Sequence, residues 1–242
     1  MSKRSIIVLG LLVIAVTAMM GRSCTHKRIT GPAWDIQRRK LVEELRRNGI
    51  TDERVLDAMD RVPRHAFIPK LWRDMSYIDR PVSIGFGQTI SQPFIVALMC
   101  QELKLKPTDR VLEIGTGSGY HAAVMSLLCR QVFTIEIIPE LAMSAQRTLD
   151  SLGYRNVKVK IGDGYEGWTE FAPFDKIILT AAPEEVPQPL KRQMKVGGLL
   201  IAPVGAGWQK LVIIERTPRG YTQKPLLPVR FVPMTGRAQE KK

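Results

Sequence analysis

The densest chemistry in the chain lies in Glu113-Ile114-Gly115-Thr116-Gly117-Ser118-Gly119. Glycines at this spacing let backbone approach a ligand closely where a strand turns into a helix. The pattern is G-x-G-x-G; the dinucleotide fingerprint would need a glycine where Tyr120 stands. A carboxylate at Glu113 would repel a pyrophosphate but suits a ligand carrying a sulfonium and an ammonium, which points to S-adenosylmethionine. Glu136, 17 residues past Gly119, is placed at a strand end to accept hydrogen bonds from both hydroxyls of a ribose. Gly162-Asp163-Gly164 offers an acidic side chain and open backbone to an adenine. Each of these is, taken singly, also the pattern of a tight turn or a solvated acid. Three in succession at strand ends describe a nucleoside site.

The methyl acceptor follows by exclusion. Methylation of exocyclic base amines uses an Asp/Asn/Ser-Pro-Pro-aromatic turn after the fourth strand, where this chain has Thr180-Ala181-Ala182-Pro183. Methylation at a pyrimidine carbon needs an activated cysteine, but Cys100 and Cys129 sit in apolar helical runs and read as small buried hydrophobes. With Cys24 they make three cysteines without C-x-x-C or Cys/His ligand spacing, so neither a disulfide framework nor a metal site is expected. His26, His65 and His121 are scattered and are expected at the surface or in packing rather than in catalysis. A carboxylate acceptor is already ionised at neutral pH and needs alignment with the methyl rather than a general base. Carboxyl methylation is the chemistry this inventory suits.

The elements that must hold these residues read as an α/β chain. Apolar positions at helical spacing predict a helix over Trp34 to Asn48, and Thr51-Asp52-Glu53 caps a second that ends before Pro63. These two form a cover. Pro63 to Gly87 is irregular and long enough to be a functional loop. Ser91-Gln92-Pro93 reads as the N-cap of a helix running through Leu103. Strands follow at 111–114, 132–135, 157–161, 177–180 and 199–203, with helices at 120–128, 139–152 and 186–194. This predicts a doubly wound, Rossmann-like α/β sheet; with the cofactor inferred above, the expected fold is that of a class I S-adenosylmethionine-dependent methyltransferase. Leu211 to Glu215 and Val229 to Val232 then predict a β-rich, hairpin-like carboxy-terminal edge.

Composition bounds the alternatives. At 242 residues, 45% hydrophobic and 24% charged, the chain is one globular domain rather than a disordered, collagenous or multi-span protein. A net charge of +13 would suggest a polyanion partner, but its location argues otherwise. Met1 to Gly49 holds 10 basic and 3 acidic residues, Arg216 to Lys242 holds 7 and 1, and Ile50 to Glu215 holds 19 of each. A nucleic-acid enzyme is expected to carry a basic stripe beside its site, so nucleic acid is not expected as a partner. At the amino terminus Lys3-Arg4 precedes 15 uncharged residues, Ile6 to Met20. That length suits a signal-peptide core and falls short of a comfortable bilayer span. A cleaved signal, a short anchor and a start of translation at Met19 or Met20 all fit. Arg22, Lys27 and Arg28 favour keeping the following domain on the cytosolic side.

Several ordered blocks make the chain resemble the protein-L-isoaspartate (D-aspartate) O-methyltransferase family over roughly Leu41 to Thr235. They are Val62 to Pro69, Asp79-Arg80-Pro81, Gly85 to Pro93, Val111 to Tyr120, Gly162 to Gly164, Thr180 to Pro183, Gly197-Gly198 and Pro228 to Pro233. The resemblance implies methyl transfer from S-adenosylmethionine to the free α-carboxylate of an L-isoaspartyl residue in a damaged protein, initiating repair. It implies that Ser91 is the active-site serine, with Thr89 beside it, and that both hydroxyls help hold the substrate carboxylate. On its own residues Ser91 could equally be only a helix cap. By the same resemblance Ala181, Ala182, Pro183, Val204, Gly205, Val229, Phe231 and Val232 line a peptide groove in which extended backbone pairs with extended backbone. Trp208 departs from the expected pattern and belongs either to the core or to the groove.

The expected organisation is a lead-in over 1–30 outside the fold, one methyltransferase domain over 31–235, and a basic tail over 236–242. A cytoplasmic monomer is expected, acting on isoaspartyl proteins and peptides, with membrane association through residues 1–30 or, alternatively, export. The rival readings are a methyltransferase for a small molecule or RNA, and a non-catalytic member that binds peptide or membrane.

Overall fold

The computed structural model describes residues 32–240. The expectations for the lead-in over 1–30, for Cys24 and His26, and for Lys241 and Lys242 lie outside the described residues.

Two helices come first. In α1 (Pro32–Arg47) Leu41, Val42 and Leu45 turn inward, and α2 (Glu53–Arg61) buries Val55, Leu56 and Met59. The cap of α2 forms as the sequence indicates: Arg54 N–H donates to Asp52 Oδ1 at 3.0 Å. Residues 63–87 are more ordered than a loop. They make two short 3-10 helices, Arg64–Phe67 and Lys70–Met75, and the strand β1 (Val82–Gly85), which pairs antiparallel with β2 (Gln88–Ile90).

Helix α3 (Pro93–Glu102) corrects one expectation. Gln92, not Ser91, occupies its N-cap position, and the side chain of Gln92 does not cap it. The helix is capped from a distance, with Phe94 N–H donating to Asp79 Oδ1 at 2.7 Å and Gln92 Nε2 donating to Asp79 Oδ2 at 2.8 Å. Pattern reading looks for a cap within the local sequence and therefore selects Ser91; tertiary folding brings in Asp79.

The main sheet contains β3 (Arg110–Ile114), β4 (Gln131–Glu136), β5 (Val157–Ile161), β6 (Phe174–Leu179), β7 (Met194–Val204), β8 (Gln209–Thr217) and β9 (Gly220–Val229). Their spatial order is β5-β4-β3-β6-β7-β8-β9. The strands β3 to β7 run parallel, and β8 and β9 return antiparallel. The connections carry α4 (Tyr120–Ser126), α5 (Pro139–Leu152) and α6 (Gln188–Arg192). Alternate side chains feed two cores: Val111, Val132 and Ile178 pack with α1 to α5, while Leu112, Ile114, Phe133 and Ile177 pack with α6. The strand order reverses at β3 and β6, and ligands of such sheets bind at the carboxyl ends beside that reversal.

The last strand is also corrected. It spans Gly220–Val229, not Val229 to Val232, and joins β8 through the short turn at Pro218 and Arg219. Pro225 and Pro228 disguise it in sequence, but proline is tolerated at a sheet edge, where a missing N–H forfeits little. Residues 230–233 are irregular, apart from an isolated parallel bridge between Ala182 and Pro233. Gly236–Gln239, expected in a tail, forms a single helical turn that packs on the body, with Arg237 N–H donating to Asp163 Oδ2 at 2.8 Å.

Candidate active site

A cavity opens at the carboxyl ends of β3, β4 and β6. Its lining includes Gly115, Thr116, Gly117 and Ser118 from the glycine turn, Glu136 to Ile138 after β4, Gly164 after β5, and Thr180 and Ala181 after β6. Gln88 to Ser91 contribute from the β1–β2 hairpin and the entry to α3, and Val232 to Thr235 from the carboxy-terminal segment. Ser91, Thr89, Glu136 and the turn residues 115 to 118, read as candidates in sequence, therefore meet in one place.

The turn is built for backbone approach. Gly115 has φ +100°, and a Cβ there would stand 2.3 Å from Thr180 Oγ1, whose hydroxyl hydrogen-bonds to the Gly115 carbonyl at 2.6 Å. A Cβ on Gly164 would meet Ile114 Cγ2 at 2.4 Å. Gly119 serves differently: it is absent from the cavity lining, and its Cα faces Ala145 and Leu149 of α5, where a side chain would crowd the helix.

Glu136 is held rigidly at the wall. One carboxylate oxygen accepts Gly117 N–H at 2.7 Å and the other accepts Ile138 N–H at 3.0 Å, leaving further lone pairs for a diol. Glu113 stands one layer back and is fully buried. Its Oε2 accepts the Thr134 hydroxyl at 2.6 Å, and Thr134 Oγ1 lies 2.7 Å from Oγ1 of Thr116, the cavity-lining member of the chain. Burial pushes the Glu113 carboxyl up to about 8, and its Oε1 has no partner among the described residues. Glu113, expected in sequence as a carboxylate facing the ligand, is thus absent from the cavity lining and linked to it through Thr134 and Thr116. Asp163 is likewise occupied, accepting N–H bonds from Tyr165 at 2.9 Å and Arg237 at 2.8 Å, so that Gly164 rather than Asp163 borders the cavity.

On the opposite side of the sequence motif, Ser91 has no side-chain hydrogen-bond partner among the described residues. Its carbonyl is held by Arg64, a wholly buried guanidinium that also lies 4.8 Å from the Tyr120 ring centroid. Burial lowers the Arg64 pKa to about 10, which still leaves it charged at neutral pH.

The expected peptide groove is only partly open. Ala181 and Val232 line the cavity. Ala182 N–H is spent on the Val232 carbonyl, and the Ala182 carbonyl on Met234 N–H, both at 2.8 Å. The Pro183 carbonyl accepts Gly205 N–H, Val204 pairs with Lys210, and Val229 pairs with Gln209. Phe231 is gripped by Gln209, whose side chain accepts its N–H at 2.6 Å and donates to its carbonyl at 3.1 Å. At Ala182, Pro183, Gly205, Phe231 and Val232 part of the backbone expected to face a peptide is thus already paired within the chain. Trp208 is 95% exposed and does not belong to the core.

Sequence reasoning passed over Thr180, Tyr120, Ile138, Arg64 and His121. Position was the available signal for two of them, since Tyr120 and His121 directly follow the glycine turn. Arg64 comes from a distant segment and gave none. Among the described residues no group of three or more His, Cys, Asp or Glu side chains could hold a metal ion, and no helix is long and apolar enough to cross a membrane.

The donor set fits an adenosyl ligand: a fixed carboxylate for a diol, glycine backbone without room for a Cβ, and apolar Ile114, Ile135 and Ile138 for a base.

The chain is similar to proteins already known. Residues 36–239 match the family described as protein-L-isoaspartate(D-aspartate) O-methyltransferase. A protein-L-isoaspartate O-methyltransferase of Gloeobacter violaceus is 53% identical over 195 residues, which is 80% of this chain and 95% of the relative. Among solved structures, a protein-L-isoaspartate O-methyltransferase superposes with a TM-score of 0.77 at 32% identity, covering 83% of this chain and 67% of that one. A Plasmodium falciparum protein of the same description, in complex with S-adenosyl-L-homocysteine, superposes with a TM-score of 0.74 at 28% identity over 82% of this chain and 98% of that one.

Proposed function

This chain belongs to the protein-L-isoaspartate(D-aspartate) O-methyltransferase family, and from that premise we propose how its residues divide the work. It is an S-adenosylmethionine-dependent methyltransferase that acts on the free α-carboxylate of L-isoaspartyl residues in damaged proteins and so initiates their repair. When bound, S-adenosylmethionine supplies a methyl group on a sulfonium, poised for in-line displacement. Glu136 receives the ribose hydroxyls, the 115–118 turn lies against the cofactor's centre, and Gly164 with Ile138 borders the adenine. Thr89 and Ser91 hold the substrate carboxylate. That group is ionised at neutral pH, so the site need only align it and exclude water. The buried Arg64, held to the Ser91 carbonyl, adds positive potential where the carboxylate sits.

The observation that carries this reading is the meeting of Thr89 and Ser91 with the glycine turn and Glu136 in a single cavity. The deciding experiment supplies methyl-labelled cofactor with matched isoaspartyl and aspartyl peptides and measures base-labile methanol. Methanol from the isoaspartyl peptide alone is expected; equal labelling of both peptides, or of neither, overturns the reading.

The methyl ester then closes spontaneously to a succinimide, whose hydrolysis returns part of the material to normal aspartate. The protein works as a monomer with its catalytic domain facing the cytosol, where the cofactor is made. The basic, apolar segment over residues 1–30 provides a membrane association separate from catalysis.

A further inference from the structure

The hairpin that carries Thr89 closes in a two-residue turn, Phe86-Gly87, between the paired Gly85 and Gln88. Both turn residues have positive φ, +54° at Phe86 and +70° at Gly87. Two-residue hairpin turns with positive φ at both positions favour Asn-Gly, because a bulky side chain in the left-handed region crowds its own backbone. Phe86 is therefore ill suited to the turn it occupies. Packing does not compensate, since Phe86 is 59% exposed and belongs to neither hydrophobic core. A lone exposed aromatic is ordinary on a protein surface, but one that is exposed and also strains its backbone has the mark of a residue kept for a ligand.

The position of the turn says which ligand. Val82, Ile84 and Ile90 are buried and anchor the hairpin. A Cβ on Gly117 would lie 3.5 Å from Ile84 Cδ1, so β1 passes against the glycine turn. On the returning strand Gln88 and Thr89 line the cavity, and Gln88 Nε2 lies 3.5 Å from the Phe86 carbonyl oxygen. Phe86 thus stands at the rim, and the chain between it and Thr89 spans at most about 11 Å. An extended peptide advances about 3.3 Å per residue, so with the isoaspartyl carboxylate at Thr89 and Ser91 its neighbouring side chains come within reach of the ring. We propose that Phe86 is a specificity-determining residue that packs against an apolar side chain of the substrate peptide within three residues of the isoaspartyl. Such a side chain removes its own apolar surface and that of the ring from water together. The inference rests on the peptide substrate proposed above.

The experiment uses isoaspartyl peptides of glycine and serine in which a single leucine is walked through the three positions on each side of the isoaspartyl. With the unmodified protein, leucine at one or more of these positions is expected to raise kcat/KM about fivefold over the leucine-free peptide, as a partly buried apolar side chain would. Phe86→Asn is expected to bring that ratio to within about twofold of one, while kcat/KM for the leucine-free peptide and the Kd for S-adenosylhomocysteine both stay within about twofold. Because asparagine suits the turn, the variant is also expected to unfold at a higher urea concentration than the unmodified protein. No leucine preference in the unmodified protein, a preference that survives Phe86→Asn, weakened S-adenosylhomocysteine binding, or a destabilised variant overturns the assignment. Failure of the unmodified protein to methylate any of the isoaspartyl peptides would instead overturn the peptide reading itself.

Discussion

Arg64 Nη2 donates to the carbonyl oxygen of Ser91 at 2.8 Å, tying a wholly buried cation to the residue proposed to hold the substrate carboxylate. Among the described residues the guanidinium makes no salt bridge and its Nε and Nη1 have no hydrogen-bond partner, although Tyr120 and the Asp79 carboxylate lie near enough to favour its charge. Burying a charge that is incompletely paired is costly. Arg64→Met is expected to lower kcat/KM for an isoaspartyl peptide at least tenfold while the Kd for S-adenosylhomocysteine stays within twofold. Steady-state kinetics and calorimetry on the same preparation check it; equal losses in both would place Arg64 in general stability.

Ser91 and Asp79 divide two roles that sequence reading assigned to Ser91. Ser91→Ala is expected to cut kcat/KM for the peptide by tenfold to a hundredfold with an unchanged melting temperature, because α3 does not depend on this hydroxyl. Asp79→Ala removes the acceptor of Phe94 N–H and is expected to cost about 1–2 kcal/mol of stability. Denaturant melts of the two variants, compared side by side, test the assignment; a destabilised Ser91→Ala would restore the capping role.

Glu136 both fixes the glycine turn and presents its charge to the cavity. Glu136→Gln is expected to weaken S-adenosylhomocysteine by about tenfold or more, equivalent to about 1.5–3 kcal/mol for hydrogen bonds to a charged group. Calorimetric titration reads the change directly, and the peptide KM at saturating cofactor is expected to hold.

Glu113 gives the stability an unusual pH dependence. Its carboxyl is raised from 4.5 to about 8, chiefly by burial, with Glu136 adding to the rise and the Thr134 hydroxyl opposing it. Between these values the folded state keeps a proton that the unfolded state releases. Stability from this group is therefore complete below about 4.5 and is lost as pH rises through 8, by at most about 1.4 kcal/mol per pH unit. Glu113→Gln stays neutral throughout, so its stability relative to the unmodified protein is expected to climb from pH 5 to pH 8. Urea unfolding at both pH values measures the difference, and a flat or falling difference would mean Glu113 is ionised in the fold.

The proposed separation of residues 1–30 from catalysis predicts that a chain beginning at Gly31 methylates isoaspartyl peptide within about twofold of the full chain. Its cosedimentation with anionic vesicles is expected to drop, since the truncation removes Lys3, Arg4, Arg22, Lys27 and Arg28 and no acidic residue. The described core supports the expectation: the packed side of α1, from Trp34 to Leu45, lies wholly within the retained chain.

What could be read from the chain alone was whatever local chemistry and periodicity encode. The alternating strands and helices from Arg110 onward, the cap at Asp52, the glycine turn and the carboxylate of Glu136 all lie in short contiguous stretches whose meaning depends little on partners. Tertiary structure decided what depends on residues distant in sequence. Asp79 took the cap of α3, and Arg64 reached the carbonyl of Ser91 across 27 positions. Gln209 and Val232 consumed backbone that looked open for a peptide, and β9 ran through two prolines because it lies at an edge. The same applies to charge state. Type and spacing identified Glu113 as a carboxylate, but only its burial among the strands, with Thr134 as its one hydrogen-bonding side chain, made it a group that keeps its proton near neutral pH. Desolvation is a property of the assembled interior and cannot be read from any stretch of sequence.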